Sequence, residues 1–247
     1  MKWSAEVAAL AALAFLVLGC DGDEGKERKK EKRTSAADEK PTPSDEDGEK
    51  ENGGGETAKD GVEPVAILST TQGEITIRFF PKKAPEHVKN FLAHARSGYY
   101  EGTYFHRVMQ GFMIQGGDPN TKNDDSQDDG QGGYSYKGPG KYLKAEFSDI
   151  QHVRGIVSMA RSGGKPDSAG SQFFIMVATN KGLDGQYSAF GEVIRGMEVA
   201  DRIVLEPGEP LSRSGDVRPY KRQFIERIRI EEWPTRKVDE TGDANRR

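Results

Sequence analysis

Apolar positions fall into three regimes along the 247 residues. A dense run covers Val7 to Leu18. From Asp21 to about Gly61 there is no aromatic and almost no aliphatic side chain. From Val62 to Trp233 short apolar runs recur. In the last regime the period distinguishes the elements. In Glu74–Phe80, Ile75, Ile77 and Phe79 alternate with Thr76 and Arg78, the period-2 pattern of a half-buried strand. The run Val65–Ser69 and the punctuating Gly73 make it the second arm of a hairpin, which Pro81 ends. In "APEHVKNFLAHARSG", Val88, Phe91, Leu92 and Ala95 recur at i, i+3, i+4 and i+7. Pro85 stands in the first turn and Gly98 past the end, so the segment is predicted as an amphipathic helix. Further strands are predicted at Phe105–Met109, Phe112–Gln115, Ile156–Ala160, Gln172–Val177, Ala189–Val193 and Phe224–Ile230. A second helix is predicted at Met197–Val204, with Val199, Ala200 and Ile203 on its apolar face. Between them lie Gly-rich stretches, notably Thr121–Tyr142 and Arg161–Gly170. Short strands, glycine turns and two isolated helices argue for a mainly β fold, a closed or nearly closed barrel with helices over its ends.

Composition adds that part of the chain lies outside this fold, because 34% hydrophobic against 31% charged residues is low for a fully globular chain. A net charge of −4 gives no electrostatic case for nucleic acid. The single cysteine, Cys20, excludes an internal disulfide and a cysteine-based zinc site. Behind Lys2, the Val7–Leu18 run has the length of a signal-peptide core and falls short of the ~20 apolar residues of a membrane-spanning helix. It ends Val17-Leu18-Gly19-Cys20, which resembles a bacterial lipobox, although Leu18 is bulkier than the small residue usual there. The alternative is an ordinary signal, or an uncleaved anchor, that ends in cysteine. The expected organisation is a lipoprotein-type signal at 1–19, a lipidated Cys20 with a disordered charged tether over 20–61, a folded domain over 62–233 and a flexible tail over 234–247. The tether's composition cannot offset its ordering entropy, and as a flexible coil it would span about 35 Å. The cluster Lys26–Arg33 is interrupted by Glu27 and Glu31 and reads as solvated. The expected location is therefore the bacterial cell envelope, lipid-anchored and facing the periplasm, with inner or outer membrane left open.

Candidate chemistry centres on "FHRVMQGFMIQGGD", Phe105–Asp118, where a histidine, an arginine and a glutamine interrupt an apolar run. An unpaired buried polar group costs ~1–3 kcal/mol and a buried charge more. Either these side chains reach water or something is built around them. Gln110-Gly111 suits a hairpin turn, so two strands flank it. Phe105, Arg107 and Met109 share one face of the first strand, and Met113 and Gln115 share a face of the second. Whether Arg107 and Gln115 look the same way depends on a register that the sequence leaves open. The alternative is an arginine snorkelling to solvent and a glutamine capping a turn.

Downstream, "IVSMARSGGKPDSAGSQFFIMV" and "LDGQYSAFGEV" follow. The order Phe-His-Arg, Gly-Phe-Met-x-Gln-Gly-Gly-Asp, Ser-Met-Ala, Gly-Ser-Gln-Phe-Phe-Ile, Leu-Asp-Gly and Phe-Gly resembles the cyclophilin-type peptidyl-prolyl cis-trans isomerases over roughly Val62–Trp233. The resemblance implies a closed eight-stranded antiparallel β-barrel capped by two α-helices, with the active site in a groove on its outer face. It implies isomerisation of Xaa-Pro bonds in proline-containing polypeptide clients, by a monomer, with no cofactor and no metal. By the same resemblance Arg107 is the catalytic arginine, Gln115 its support and His106 the neighbouring histidine, whose expected role is orienting or packing. Phe112, Met113, Phe174 and Leu183 form the proline pocket, and Ala160, Arg161 and Gln172 line the groove for preceding residues. Gly182 replaces a position often aromatic in the family, and Tyr187 one that is often histidine. Both changes reshape a wall of the pocket and put cyclosporin binding in doubt, while Gln110 replaces a turn proline. The rival reading is a tethered chaperone or scaffold that grips proline segments without turnover. The acidic stretch "NTKNDDSQDDGQGG" reads as a solvated loop bordering the groove. Asp125, Gln127, Asp129 and Gly130 only faintly match a calcium loop, with no closing acid. His87, His94 and His152 have no ligand spacing and are expected on the surface or in a helix.

Overall fold

The computed structural model describes residues 62–234, so Cys20, the tether and the tail lie outside the described residues. The strands are β1 (Val62–Thr70), β2 (Gly73–Phe79), β3 (Arg107–Met109), β4 (Met113–Gly116), β5 (Ile156–Met159), β6 (Phe173–Met176), β7 (Ala189–Arg195), β8 (Gly208–Pro210), β9 (Val217–Pro219) and β10 (Ile225–Pro234). Helix α1 spans Pro85–Arg96 and helix α2 Met197–Val204, as their apolar periods predict. All pairings are antiparallel, in the order β10-β1-β2-β7-β5-β6-β4-β3-β9-β8.

The expected closed, eight-stranded barrel is corrected by this order. Among the described residues the sheet has ten strands, and no ladder joins its two ends. The physical reason lies between α2 and β10. There a further hairpin, β8–β9, pairs Val217 with Val108 and occupies the free edge of β3. The chain leading into β10 therefore reaches only the residues just before β3. It meets them at a single Tyr104–Phe224 bridge, with Phe105 N–H donating to the Gln223 carbonyl (3.1 Å) and Ile225 N–H to that of Thr103 (2.8 Å). Both three-residue strands carry a proline and show no alternation, so no period announces them.

One large core fills the inside of the sheet. Phe91 of α1 sits at its centre, with ring centroids 5.1 Å from Tyr100, 5.3 Å from Phe173 and 5.4 Å from Phe190. Pleating divides the strands that matter for the site. Val108, Ile114, Val157, Phe173 and Ile175 point into this core, while Met113, Phe174, Met176 and Ile156 form a second, smaller cluster on the outer face. The first amides of α1 have no local side-chain cap. Glu146 instead accepts from the backbone N–H groups of Glu86 (3.1 Å) and His87 (3.0 Å), satisfying donors that a helix start leaves open. Truncating Phe91 to Ala, fully buried as it is, should cost about 3–5 kcal/mol. Urea unfolding checks this, and a loss below 1 kcal/mol would contradict the central place of the ring.

Candidate active site

The register left open by the sequence is set by the β3–β4 ladder, which pairs Arg107 with Gln115, Val108 with Ile114 and Met109 with Met113. Arg107 and Gln115 are therefore direct cross-strand neighbours, and Arg107 Nη1 donates to Gln115 Oε1 at 3.2 Å. β6 continues the outer face: Gln115 lies opposite Phe174 and Met113 opposite Met176. Gln115 Nε2 then donates to Gln172 Oε1 (2.9 Å), and Gln172 Nε2 donates to the carbonyls of Gly130 (2.9 Å) and Gly132 (2.8 Å). Arginine has only donors and a carbonyl only acceptors. The two glutamine amides between them are therefore oriented in one sense, Arg107 to Gln115 to Gln172 to backbone. Snorkelling does not describe Arg107, whose side chain is 34% exposed and bound on two sides.

Its second partner escaped the sequence. Arg107 Nε donates to Asp216 Oδ2 at 2.8 Å, and Asp216 immediately precedes β9, 109 positions downstream. Its carboxylate is buried at 8% side-chain exposure and also accepts from the Ser212 hydroxyl. Burial alone would raise the Asp216 pKa. The hydrogen bond from Ser212 and then the bond and charge of Arg107 outweigh it, and hold the pKa below the usual carboxylate value. No short-range spacing could have indicated this residue, because only the β8–β9 hairpin brings it to β3.

Beside the arginine, Met113 and Phe174 are buried, with Phe112, Leu183 and Tyr187 packed around them half-exposed. The Tyr187 ring stands edge-on to Phe174 at 5.4 Å, and the Arg161 guanidinium lies over that ring, 4.7 Å from its centroid. Gly182, next to Leu183, is exposed, and a Cβ there would meet Asn180 Oδ1 at 3.1 Å. Adjoining this apolar seat runs a groove of about 160 Å³ lined by Gln115, Ala160, Arg161, Gln172 and the Gly130–Gly133 segment. The structure thus brings Arg107, Gln115, Gln172, Ala160, Arg161 and the five apolar residues onto one outer face.

The sequence pattern of the family described as "Cyclophilin type peptidyl-prolyl cis-trans isomerase/CLD" matches residues 65–230. The chain belongs to that family. It is 41% identical over 163 residues to peptidyl-prolyl cis-trans isomerase 9 of Schizosaccharomyces pombe, covering 64% of this chain and 24% of that one. It is 39% identical over 145 residues to peptidyl-prolyl cis-trans isomerase CYP18-2 of Arabidopsis thaliana, covering 58% of this chain and 82% of the relative. The chain thus spans about a quarter of the length of the first of these relatives. Among solved structures it is similar to a Cryptosporidium parvum cyclophilin type peptidyl-prolyl cis-trans isomerase solved in the presence of the dipeptide Ala-Pro. There the TM-score is 0.59 and the identity 35%, covering 68% of this chain and 98% of that one.

Within this cyclophilin fold two of the histidines expected on the surface or in a helix, His87 and His94, lie in α1, and His152 does not fit that expectation. His152 is neither on the surface nor in a helix but buried, and His87 and His94 are buried faces of α1. His152 Nε2 lies 2.9 Å from Ser158 Oγ and its Nδ1 3.1 Å from Asp184 Oδ1, a serine–histidine–carboxylate row in the order used by hydrolases. Ser158 has no exposure, so no substrate reaches it. The row instead props the pocket from behind, with His152 stacked 6.2 Å from Phe174. The stretch read as a solvated loop is likewise partly inside: the Asp129 side chain is 3% exposed and accepts from the Tyr104 hydroxyl.

His106 is buried beside Gly130, and neither ring nitrogen has a hydrogen-bond partner among the described residues. Burial first, and the charge of Arg107 second, push its pKa down to about 4. It is a neutral packing group at neutral pH, placed behind the arginine. Since the unfolded value is near 6.5, the unfolded chain takes up the proton first. The stability that this group leaves intact above pH ~6.5 is lost as pH falls toward 4, by about 3 kcal/mol in all. An NMR titration should give His106 a midpoint near 4, and one near 6.5 would contradict this burial.

Proposed function

We propose that the chain is a peptidyl-prolyl cis-trans isomerase acting on Xaa-Pro bonds of exported proteins. The observation that carries this reading is the cross-strand pair Arg107–Gln115, held at the edge of the Met113–Phe174 seat. Rotation about a prolyl bond meets a barrier near 20 kcal/mol because it breaks amide resonance. No bond is made or cut, so the protein needs only to bind the twisted amide more tightly than either planar form. A proline ring seated on Phe174 and Met113 would leave its nitrogen toward Arg107. An N–H aimed at that nitrogen favours its pyramidal, non-resonant state. With Nε and Nη1 committed to Asp216 and Gln115, the guanidinium is oriented before substrate arrives, so little reorganisation opposes the reaction. The groove beside Gln172 and Ala160 would take the residues before proline.

Removing such a preorganised donor costs ~2.7–4 kcal/mol, or about 10²–10³ in rate. Arg107→Ala should therefore lose about that factor in kcat/KM on an Xaa-Pro peptide. Its thermal transition should stay within a few degrees of wild type. NMR exchange spectroscopy on the peptide reads the turnover and a protease-coupled assay confirms it. Peptide binding without faster cis–trans exchange by the wild type would instead establish the tethered binder.

The same proposal places the domain at a membrane through lipidated Cys20, and its support is the Val17–Cys20 pattern and the chain's only cysteine. Two or more acyl chains anchor stably where one does not. Fractionation should find the wild type with membranes and Cys20→Ala soluble, and identical fractions would remove the anchor from the account.

A further inference from the structure

Both ends of the polar chain through the site run into segments that are themselves joined. On one side Arg107 Nε is held by Asp216, and two residues on, Arg218 Nε lies 3.3 Å from Asp129 Oδ2 as a charge pair without hydrogen-bond geometry. On the other side Arg107 Nη1 leads through Gln115 and Gln172 to the carbonyl of Gly130, the residue after Asp129. The contacts close a ring: Arg107, Asp216, Arg218, Asp129, Gly130, Gln172, Gln115 and back to Arg107. Its two covalent links are β9 and the Asp129–Gly130 peptide.

Every charge in this ring is shielded or shared. Asp129 and Asp216 are nearly closed to solvent in their side chains, at 3% and 8%. Asp129 also accepts from the Tyr104 hydroxyl, and Asp216 from the Ser212 hydroxyl. Arg218 Nη1 is held by Glu209 of β8 at 3.2 Å. A second tie runs parallel to the Asp129–Arg218 pair, where Arg222 lies 5.1 Å over the Tyr104 ring and donates to the Asn123 carbonyl. Buried ion pairs seldom add net stability, because desolvation offsets their attraction. The directional contact among these charges is the 2.8 Å hydrogen bond from Arg107 Nε to Asp216, which limits where that guanidinium can lie.

We infer that Asp216, together with the Asp129–Arg218 pair, is a set of positioning groups that holds Arg107 from the far side of the ring. The inference rests on the reading of Arg107 as the group that drives rotation. It adds that the hairpin β8–β9 and the acidic loop are parts of the catalytic machinery, not mere surface insertions. Displacing a catalytic group by about 1 Å can cost about 10²-fold in rate. A loosened Arg107 should thus turn over slowly while the apolar seat still binds peptide.

The test uses the full-length chain with 15N-labelled arginine, the Arg107 Nε–H signal being assigned by its loss in Arg107→Lys. In wild type that proton should exchange slowly with solvent, being donated to a buried carboxylate. Asp216→Ala should accelerate its exchange and lower kcat about 10- to 100-fold, with peptide affinity within about twofold. Asp216→Asn keeps an acceptor of the same shape and should restore most of both. Asp129→Asn, which keeps the Tyr104 bond but not the charge, should lower kcat by a smaller factor in the same direction. In an Arg107→Ala background, Asp216→Ala should cost nothing further. If Asp216→Ala does not fold, Ser212→Ala reads the same effect at reduced size. Unchanged kcat and unchanged Nε–H exchange in Asp216→Ala would overturn the inference. So would a loss that persists in full without Arg107. If the wild type itself does not isomerise peptides, the proposed function fails, while the Nε–H exchange still decides whether Asp216 holds the arginine.

Discussion

The pleat of two strands is the constraint from which the site follows. β4 and β6 must each present one face to the core, and Ile114, Phe173 and Ile175 take that face. Met113, Gln115, Gln172 and Phe174 are thereby forced outward, where they make a floor of alternating apolar and amide side chains. A slip of one residue would exchange the two sets and bury the glutamines. The apolar demand of the core therefore specifies the polar side of the groove.

Arg107 then poses the harder physical problem, since a guanidinium at the edge of an apolar seat needs partners. Its partners come from opposite directions, an amide in the neighbouring strand and a carboxylate in an appended hairpin. Together they leave only part of the guanidinium for a ligand. The same logic accounts for His106 beside it: burial first and the charge of Arg107 second disfavour another cation there, so the imidazole stays neutral and serves as packing.

Much of this was legible in the chain because it is local. The periods of Ile75–Phe79 and Val88–Ala95 fix β2 and α1, and the Gly-Ser-Gln-Phe-Phe-Ile block places Gln172 and Phe174 together on the face opposite to Phe173. What was not legible depends on long-range pairing. The Arg107–Gln115 register needed the ladder, since nothing in a five-residue run states which way it pairs. Asp216 needed a proline-bearing hairpin without alternation, which also turned an expected eight-stranded closure into a ten-stranded order. His152 and Asp129 look like surface residues in sequence and are buried only because partners 32 and 25 residues away bind them.

A structure of the chain with a bound Xaa-Pro peptide tests the central claim most directly, because it places the prolyl nitrogen against the guanidinium. The account predicts the proline ring on Phe174 and Met113, with Arg107 still bound to Asp216 and Gln115 and a free N–H within about 3 Å of the rotating amide. A proline ring seated elsewhere, or an arginine swung away from both partners, would contradict it.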